Sequence, residues 1–153
     1  MRKLSMNKYF FILIIIITLQ ACDKNTVKND KLDQFDRSLC EFSKAWCEKE
    51  VNGIKLSILI DPNSVPSEKQ LNLNLMSNAP LSDLEARIEG RDMFMGMIPL
   101  HFESKDKKSF ESKFMLGSCA SGYMVWRLFV SGKSDGKEFT IFFDFLADQK
   151  NNF

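Results

Sequence analysis

The sequence has few of the residues on which enzymes and metal sites most often depend. Its 153 residues include one histidine, His101, and it contains no Gly-x-Ser-x-Gly or His-Glu-x-x-His motif and no phosphate-binding glycine loop. Four acids, Asp83, Glu85, Glu89 and Asp92, follow the pattern of a solvated strand face rather than that of a paired acid and base. We therefore do not expect an enzyme.

The chain also lacks an excess of charge of either sign. Lys and Arg total 21 and Asp and Glu total 20, a formal net charge of +1. Nucleic-acid binding normally requires a clear basic surplus, so nucleic acid is not an expected partner. With 44% hydrophobic residues, a chain of this length is expected to form one globular core.

No apolar stretch is long enough to cross a bilayer as a helix. The run from Tyr9 to Leu19 falls short of the about 20 residues that a span needs. It follows Arg2, Lys3 and Lys8, however, as the apolar region of a signal peptide would. We expect residues 1–21 to be cleaved, which leaves a mildly acidic mature chain because three cations and no acid are lost.

The apolar run ends in Leu19-Gln20-Ala21-Cys22, which resembles the lipobox of bacterial lipoproteins. The resemblance implies transfer of diacylglycerol to the Cys22 thiol, cleavage before it, and acylation of the new amino group, for example with palmitate. Several acyl chains anchor a protein stably where one does so only marginally. The implied location is the cell envelope, facing the periplasm, and Asp23 favours the inner over the outer membrane. The alternative is an ordinary secretory peptide with an incidental cysteine.

Two short segments separate the anchor from the main domain. Residues 22–31 are polar and lack apolar periodicity, which predicts a lipidated tether. Apolar residues then recur every three to four positions, the spacing of one helical face: Leu32, Phe35, Leu39, Phe42 and Trp46. This spacing predicts a short helix over residues 32–48, within a helical or loop lead-in of residues 32–52. Residues 53–153 are expected to form the folded domain.

If Cys22 is lipidated, Cys40, Cys47 and Cys119 remain in a compartment that oxidises thiols. In a helix, Cys40 and Cys47 would lie about 10 Å apart, beyond the limit of roughly 7 Å between the alpha carbons of a disulfide. A helical lead-in therefore pairs Cys47 or Cys40 with Cys119, and we favour Cys47–Cys119. If the segment is a loop, Cys40–Cys47 can close and leave Cys119 free. A metal site formed by all three thiols is the less favoured interpretation.

From residue 53 onward, apolar residues alternate with polar ones, the period of a β-strand. Such segments, separated by turn residues, occur at Ile54–Ile60, Leu71–Leu75, Leu84–Ile88, Leu100–Phe102, Phe110–Leu116, Met124–Val130 and Phe139–Phe145. About seven short strands predict an all-β fold, an antiparallel β-sandwich of immunoglobulin-like architecture.

Three methionines alternate just before the histidine, at Met93, Met95 and Met97. If residues 84–102 form one uninterrupted strand, these methionines and His101 fall on the polar face of that strand rather than on its core face. Gly90, Gly96 and Pro99 could each introduce a bulge or turn and reset this phase.

Thioether and imidazole groups are ligands suited to Cu(I). The stretch is therefore a candidate copper(I) site, formed by Met93, Met95, Met97 and His101, with Met124 and Cys119 as further candidate ligands. The competing interpretation is that the same methionines form an adaptable apolar surface for a partner protein of the envelope, with no metal.

The order of the segments along the chain resembles that of the small YtkA-like and FixH-like extracytoplasmic domains. The segments are the tether, the alternating strands, the Met93–Met97 turn followed by Pro99, and then Phe110–Leu116 and Trp126-Arg127-Leu128. The resemblance covers about residues 53–146. It implies an immunoglobulin-like module associated with copper handling or oxidase assembly, and it transfers a metal role only to the three methionines of the turn.

Overall fold

The structure is a computed structural model that describes residues 36–118 and 124–148. All regular secondary structure in these residues is β. The strands are β1 (Leu39–Cys40), β2 (Cys47–Val51), β3 (Ile54–Asp61), β4 (Gln70–Ser77), β5 (Ser82–Gly90), β6 (Met97–Leu100), β7 (Glu103–Ser104), β8 (Ser109–Met115), β9 (Met124–Ser134) and β10 (Lys137–Ala147). The all-β class predicted from the alternation is confirmed.

These strands form two five-stranded sheets. The first sheet has the order β1-β10-β9-β5-β6 and the second has the order β2-β3-β4-β8-β7. Every pair is antiparallel except β1 with β10, which is parallel. The chain changes sheets after β1, β4, β6 and β8, so each sheet is assembled from distant parts of the sequence. The result is a two-sheet, sandwich-like fold.

The hydrophobic core lies between the sheets. Strands β3, β4 and β8 bury alternate residues, because successive side chains of a strand point to opposite faces. The largest side chains with almost no exposed surface are Trp126, Phe143, Phe145, Leu56, Ile58, Ile60, Leu71, Leu73, Leu75, Ile88, Leu116 and Leu128. Removing this apolar area from water, at about 25 cal/mol per Å², is the main force that holds the two sheets together.

Each of the seven predicted segments falls wholly or partly in a strand, and three strands were missed. Strand β6 ends at Leu100, so the fourth predicted segment overlaps it by one residue only. The additional strands are β1, β2 and β7. Two of these are two residues long, too short to give an alternating pattern.

The helix predicted over residues 32–48 is wrong for its described part, residues 36–48. A turn in which the Lys44 amide donates to the Glu41 carbonyl at 3.0 Å separates β1 from β2. The regular apolar spacing reflects a chain that changes sheets rather than one helical face. Phe42 is buried with its ring 5.9 Å from that of Phe145, whereas Trp46 is 39% exposed.

The preferred Cys47–Cys119 disulfide is also wrong, because Cys40 bonds to Cys47. Strands β1 and β2 face each other across the sandwich, which places the two alpha carbons 5.4 Å apart instead of at the helical separation of about 10 Å. The bond therefore joins the two sheets at one edge. Cys119 lies outside the described residues, as do Cys22, the signal peptide and the tether.

Candidate functional site

The candidate site is the connection between β5 and β6, here called the methionine loop and defined as residues 91–97. Strand β5 ends at Gly90, and β6 begins at Met97, which pairs with Glu89. Gly96 has a φ of +83°, a conformation that glycine adopts readily and that helps the chain reverse. The uninterrupted strand assumed over residues 84–102 is therefore wrong, and Met93 and Met95 lie in a loop.

The tip of this loop is apolar and exposed. Phe94 is 82% exposed, Met97 59%, Met93 57% and Met95 38%. The five residues from Met93 to Met97 contain no charged side chain. Large apolar side chains clustered at a surface mark contact sites more often than scattered single ones do.

The base of the loop is packed tightly against β9. A Cβ atom added at Gly90 would lie 2.0 Å from the Met93 carbonyl oxygen and 2.1 Å from the Met124 terminal methyl group. The Arg91 amide donates to the Val125 carbonyl at 3.0 Å. Met124 itself is 8% exposed and lies beneath the loop, so it shares the neighbourhood of the exposed methionines without sharing their surface.

Arg91 also ties the loop to the start of the described chain. Its guanidinium nitrogens lie 2.7 Å from an Asp36 carboxylate oxygen, 3.0 Å from Asp92 and 3.6 Å from Asp144. Asp144, in β10, is only 2% exposed and accepts two hydrogen bonds from Arg127, at 2.7 and 2.9 Å. Burying a carboxylate is costly unless it is paired, and this bidentate pair supplies the compensation.

Hydrogen bonds hold these groups in their charged forms. The pKa of Asp36 is lowered to about 2 by the Ser38 hydroxyl and the Arg91 guanidinium, which both donate to its carboxylate. The pKa of Arg91 is raised by its hydrogen bonds to Asp92 and Asp36, and that of Arg127 by its bond to Asp144. Groups locked in opposite charge near neutral pH are poor candidates for transferring protons. These charged pairs therefore hold the base of the loop in place.

Of the candidate ligands outside the loop, Met124 lies at the loop base and His101 follows the strand that leaves the loop. His101 is the first residue after β6 and lies four positions after Met97. In extended chain, four positions separate the two alpha carbons by about 13 Å. The two side chains line one shallow depression of about 330 Å³, together with Arg87 and Pro99. His101 also lines a second depression, of about 730 Å³, beside Asp61, Glu103 and Glu111.

Within residues 36–118 and 124–148, no group of three or more His, Cys, Asp or Glu side chains is arranged to hold a metal ion. The candidate copper ligands are thus the three exposed thioethers of the loop, with Met124 beneath them. His101 shares a depression with Met97 alone of these methionines, and Cys119 lies outside the described residues.

Sequence reasoning missed the groups that position the loop. In an uninterrupted strand, Phe94 would face opposite to the three methionines, whereas the loop exposes it together with them. The partners of Arg91 come from positions 36 and 144, and local patterns cannot indicate such distant contacts. One signal was present: Asp144 interrupts a run of aromatic residues in a strand that is otherwise suited to the core, and a buried acid requires a partner.

Two further observations bear on function. The described part of the chain contains no helix of the length and apolarity needed to cross a membrane. No protein-family model matches the sequence, and neither the curated proteins nor the solved structures include a match. Functional inference therefore depends on the sequence motifs and on the geometry of the methionine loop.

Proposed function

We propose that this chain is a lipid-anchored protein of the bacterial cell envelope that faces the periplasm. The support is the apolar run that ends in Leu19-Gln20-Ala21-Cys22 and follows the cations Arg2, Lys3 and Lys8. Metabolic labelling with a palmitate analogue, compared between the wild type and Cys22→Ser, tests the anchor. Label on the wild type alone supports it, and an unlabelled wild type overturns it. Fractionation of the labelled protein then tests the inner-membrane preference that Asp23 implies.

The domain is a non-enzymatic contact module that uses the methionine loop. The observation that carries this proposal is the exposure of four large apolar side chains, Met93, Phe94, Met95 and Met97, on one uncharged loop tip. Methionine side chains adapt to varied surfaces, which suits them to contact sites. Phe94, the most exposed large hydrophobic residue among those described, has no ligand atom for a metal, so its exposure favours contact over metal binding.

The connectivity supports an immunoglobulin-like architecture for this module. Strand β4 pairs with β8 in one sheet, and β5 pairs with β9 in the other. Each of these pairs joins strands that are not consecutive, as in a Greek key. Contact loops commonly lie at the ends of such sandwiches, which is where the methionine loop is found.

Photo-crosslinking in living cells tests the contact role. A photoreactive amino acid replaces Phe94 in one variant and Phe142, which is 43% exposed in the middle of β10, in the control. We expect adducts from position 94 and few from position 142. Equal adduct yields from the two positions would show that the methionine loop has no special contact role.

Cu(I) binding is the second candidate function. It is favoured by the three exposed thioethers of Met93, Met95 and Met97 and by the position of the Met124 methyl group at the loop base. Soft thioether ligands suit Cu(I), and a carrier or assembly accessory would hold the ion at such an exposed site. This role would agree with the resemblance to YtkA-like and FixH-like domains.

A competition titration with a Cu(I) chelator separates the two candidates. The Met93/Met95/Met97→Leu variant keeps the apolar surface and removes the sulfur atoms, so it loses copper affinity only if the thioethers are ligands. The matched control is Met76/Met115→Leu, which removes two exposed methionines from the other sheet. Equal affinities of the wild type and the triple variant exclude copper binding by the loop.

A further inference from the structure

The described chain begins beside the methionine loop. Asp36, its first residue, bonds through its carboxylate to Arg91, the first residue of the loop, at 2.7 Å. A turn closed by the Leu39 amide donating to the Asp36 carbonyl at 3.0 Å holds this start in place. The described chain therefore begins at the base of the methionine loop.

The distance from the anchor to this point is limited. Thirteen residues separate Cys22 from Asp36, so even a fully extended chain spans no more than about 48 Å. An 11-residue strand such as β9 is itself about 36 Å long. For the opposite end of the sandwich to reach the membrane, this segment would have to span about three-quarters of its fully extended length.

The loop tip has the chemistry that a membrane surface accepts. Its exposed side chains are apolar, and no charge lies between Met93 and Met97. Arg91, the cation that precedes the tip in the sequence, is neutralised by Asp36 and Asp92 at the loop base. Apolar side chains at an interface enter about 5–10 Å into the boundary between head groups and acyl chains, a depth that would bury the tip but leave these charged pairs in water.

We propose that the methionine loop docks onto the bilayer to which Cys22 is anchored. This inference rests on the proposed lipid anchor and names the partner of the proposed contact site. Loop and acyl chains then form two attachments, which orient the domain with the loop toward the lipid and the opposite end of the sandwich toward the periplasm. The polar character of that opposite end, where Lys105, Lys107 and Lys108 are exposed, fits this orientation.

Quenching by brominated lipids tests the docking. The lipidated full chain is incorporated into vesicles of phosphatidylethanolamine and phosphatidylglycerol, with or without bromine on the acyl chains. All variants carry Trp46→Phe, so that the fluorescence of the buried Trp126 is the same background in each of them. Phe94→Trp places the probe on the loop, and Phe142→Trp is the control. We expect bromine to quench the indole at position 94 strongly and to leave the indole at position 142 unchanged.

Flotation of the same protein with the vesicles, compared with a Cys22→Ser chain, tests the anchor separately. Phe94→Trp protein with Cys22 intact that floats with the vesicles while its position-94 indole is not quenched would overturn the docking and leave the anchor intact. Adducts between position 94 and a protein in cells, together with no quenching in vesicles, would also contradict docking on lipid. A denaturation midpoint equal to that of the Trp46→Phe parent verifies that both probe variants are folded.

Discussion

At one end of the sandwich, the methionine loop exposes Met93, Phe94, Met95 and Met97, while the other end consists of polar turns. The polar end includes the hairpins Asn52-Gly53 and Asp135-Gly136, where all four residues have positive φ. Asn-Gly and Asp-Gly pairs are the residues that such tight hairpin turns prefer. Asp106 completes this end by accepting hydrogen bonds from the Lys108 and Ser109 amides.

The residues of the polar end are explained by the turns that they form. Turn geometry likewise accounts for Gly96 in the methionine loop, and close packing accounts for Gly90 before it, but neither accounts for Met93, Phe94 and Met95. A six-residue connection from 91 to 96 could reverse the chain with polar residues, which water would solvate at no cost. The requirements of the turn therefore do not explain the apolar residues at the tip, and the proposed contact role rests on this difference in composition.

Loss of the buried carboxylate of Asp144 should have the largest effect on the methionine end. Arg127 and Arg91 both contact the Asp144 carboxylate, and Asp144→Ala removes this shared partner. We therefore expect a loss of about 3 kcal/mol in the free energy of unfolding. Denaturant unfolding measures it. The matched control is Asp83→Asn, which breaks an exposed pair with Lys133 and should have little measurable effect. Equal losses in the two variants would contradict the structural role of the Asp144 network.

The Cys40–Cys47 disulfide should contribute next. It closes a short loop between the two sheets, and the chain-entropy model gives about 2–3 kcal/mol for a loop of this length. We expect reduction, in a Cys119→Ser background, to lower stability by this amount and to increase amide exchange at Leu39 and Cys40, since β1 has only two paired residues. Unchanged exchange at these two amides would show that β1 does not depend on the bond.

Gly90→Ala should disturb the loop with a smaller loss of stability. The added methyl group would overlap the Met93 carbonyl and the Met124 methyl group, and overpacking of this kind typically costs about 1–3 kcal/mol. The control is Gly117→Ala, because nothing lies within 4 Å of the position of the new Cβ atom. Thermal unfolding gives the stability, and emission of the Phe94→Trp probe reports the loop. An unaltered probe emission in Gly90→Ala would mean that Gly90 does not position the loop.

The strands could be predicted where local sequence determines them. From Ile54 to Ile60, strict alternation followed by Asp61-Pro62-Asn63 specified β3, because one face of that strand is buried along its whole length. The hairpin before β10 was equally clear from Asp135-Gly136. In both places, the period of the side chains and the turn chemistry agree, and no distant contact changes the outcome.

The candidate site was predicted less well because distant contacts build it. Strand β5 stops at Gly90 through packing against Met124, which is 34 positions away in the sequence. The lead-in pairs with β10 at Leu39 and Asp144, a contact that an apolar repeat of three to four residues cannot reveal. The methionines were identified from the sequence, but the loop that presents them and the charged network that holds it were not.

Protonation of Asp36 in acid should lower the stability of the methionine end, with the smallest effect of the four predicted changes. Its pKa falls from 3.8 to about 2 in the folded protein, so the charged form stabilises the fold at every pH above about 4, and this stabilisation is lost as the pH falls from about 4 to about 2. Asp36→Asn should remove that part of the acid dependence, measured by unfolding across the range.

Asp106→Asn is the matched change at the polar end, where two backbone amides lower the pKa of the acid. Because Asp36 holds Arg91, only its variant should also alter the emission of the Phe94→Trp probe, and the same alteration in Asp106→Asn would show that the two ends are not independent.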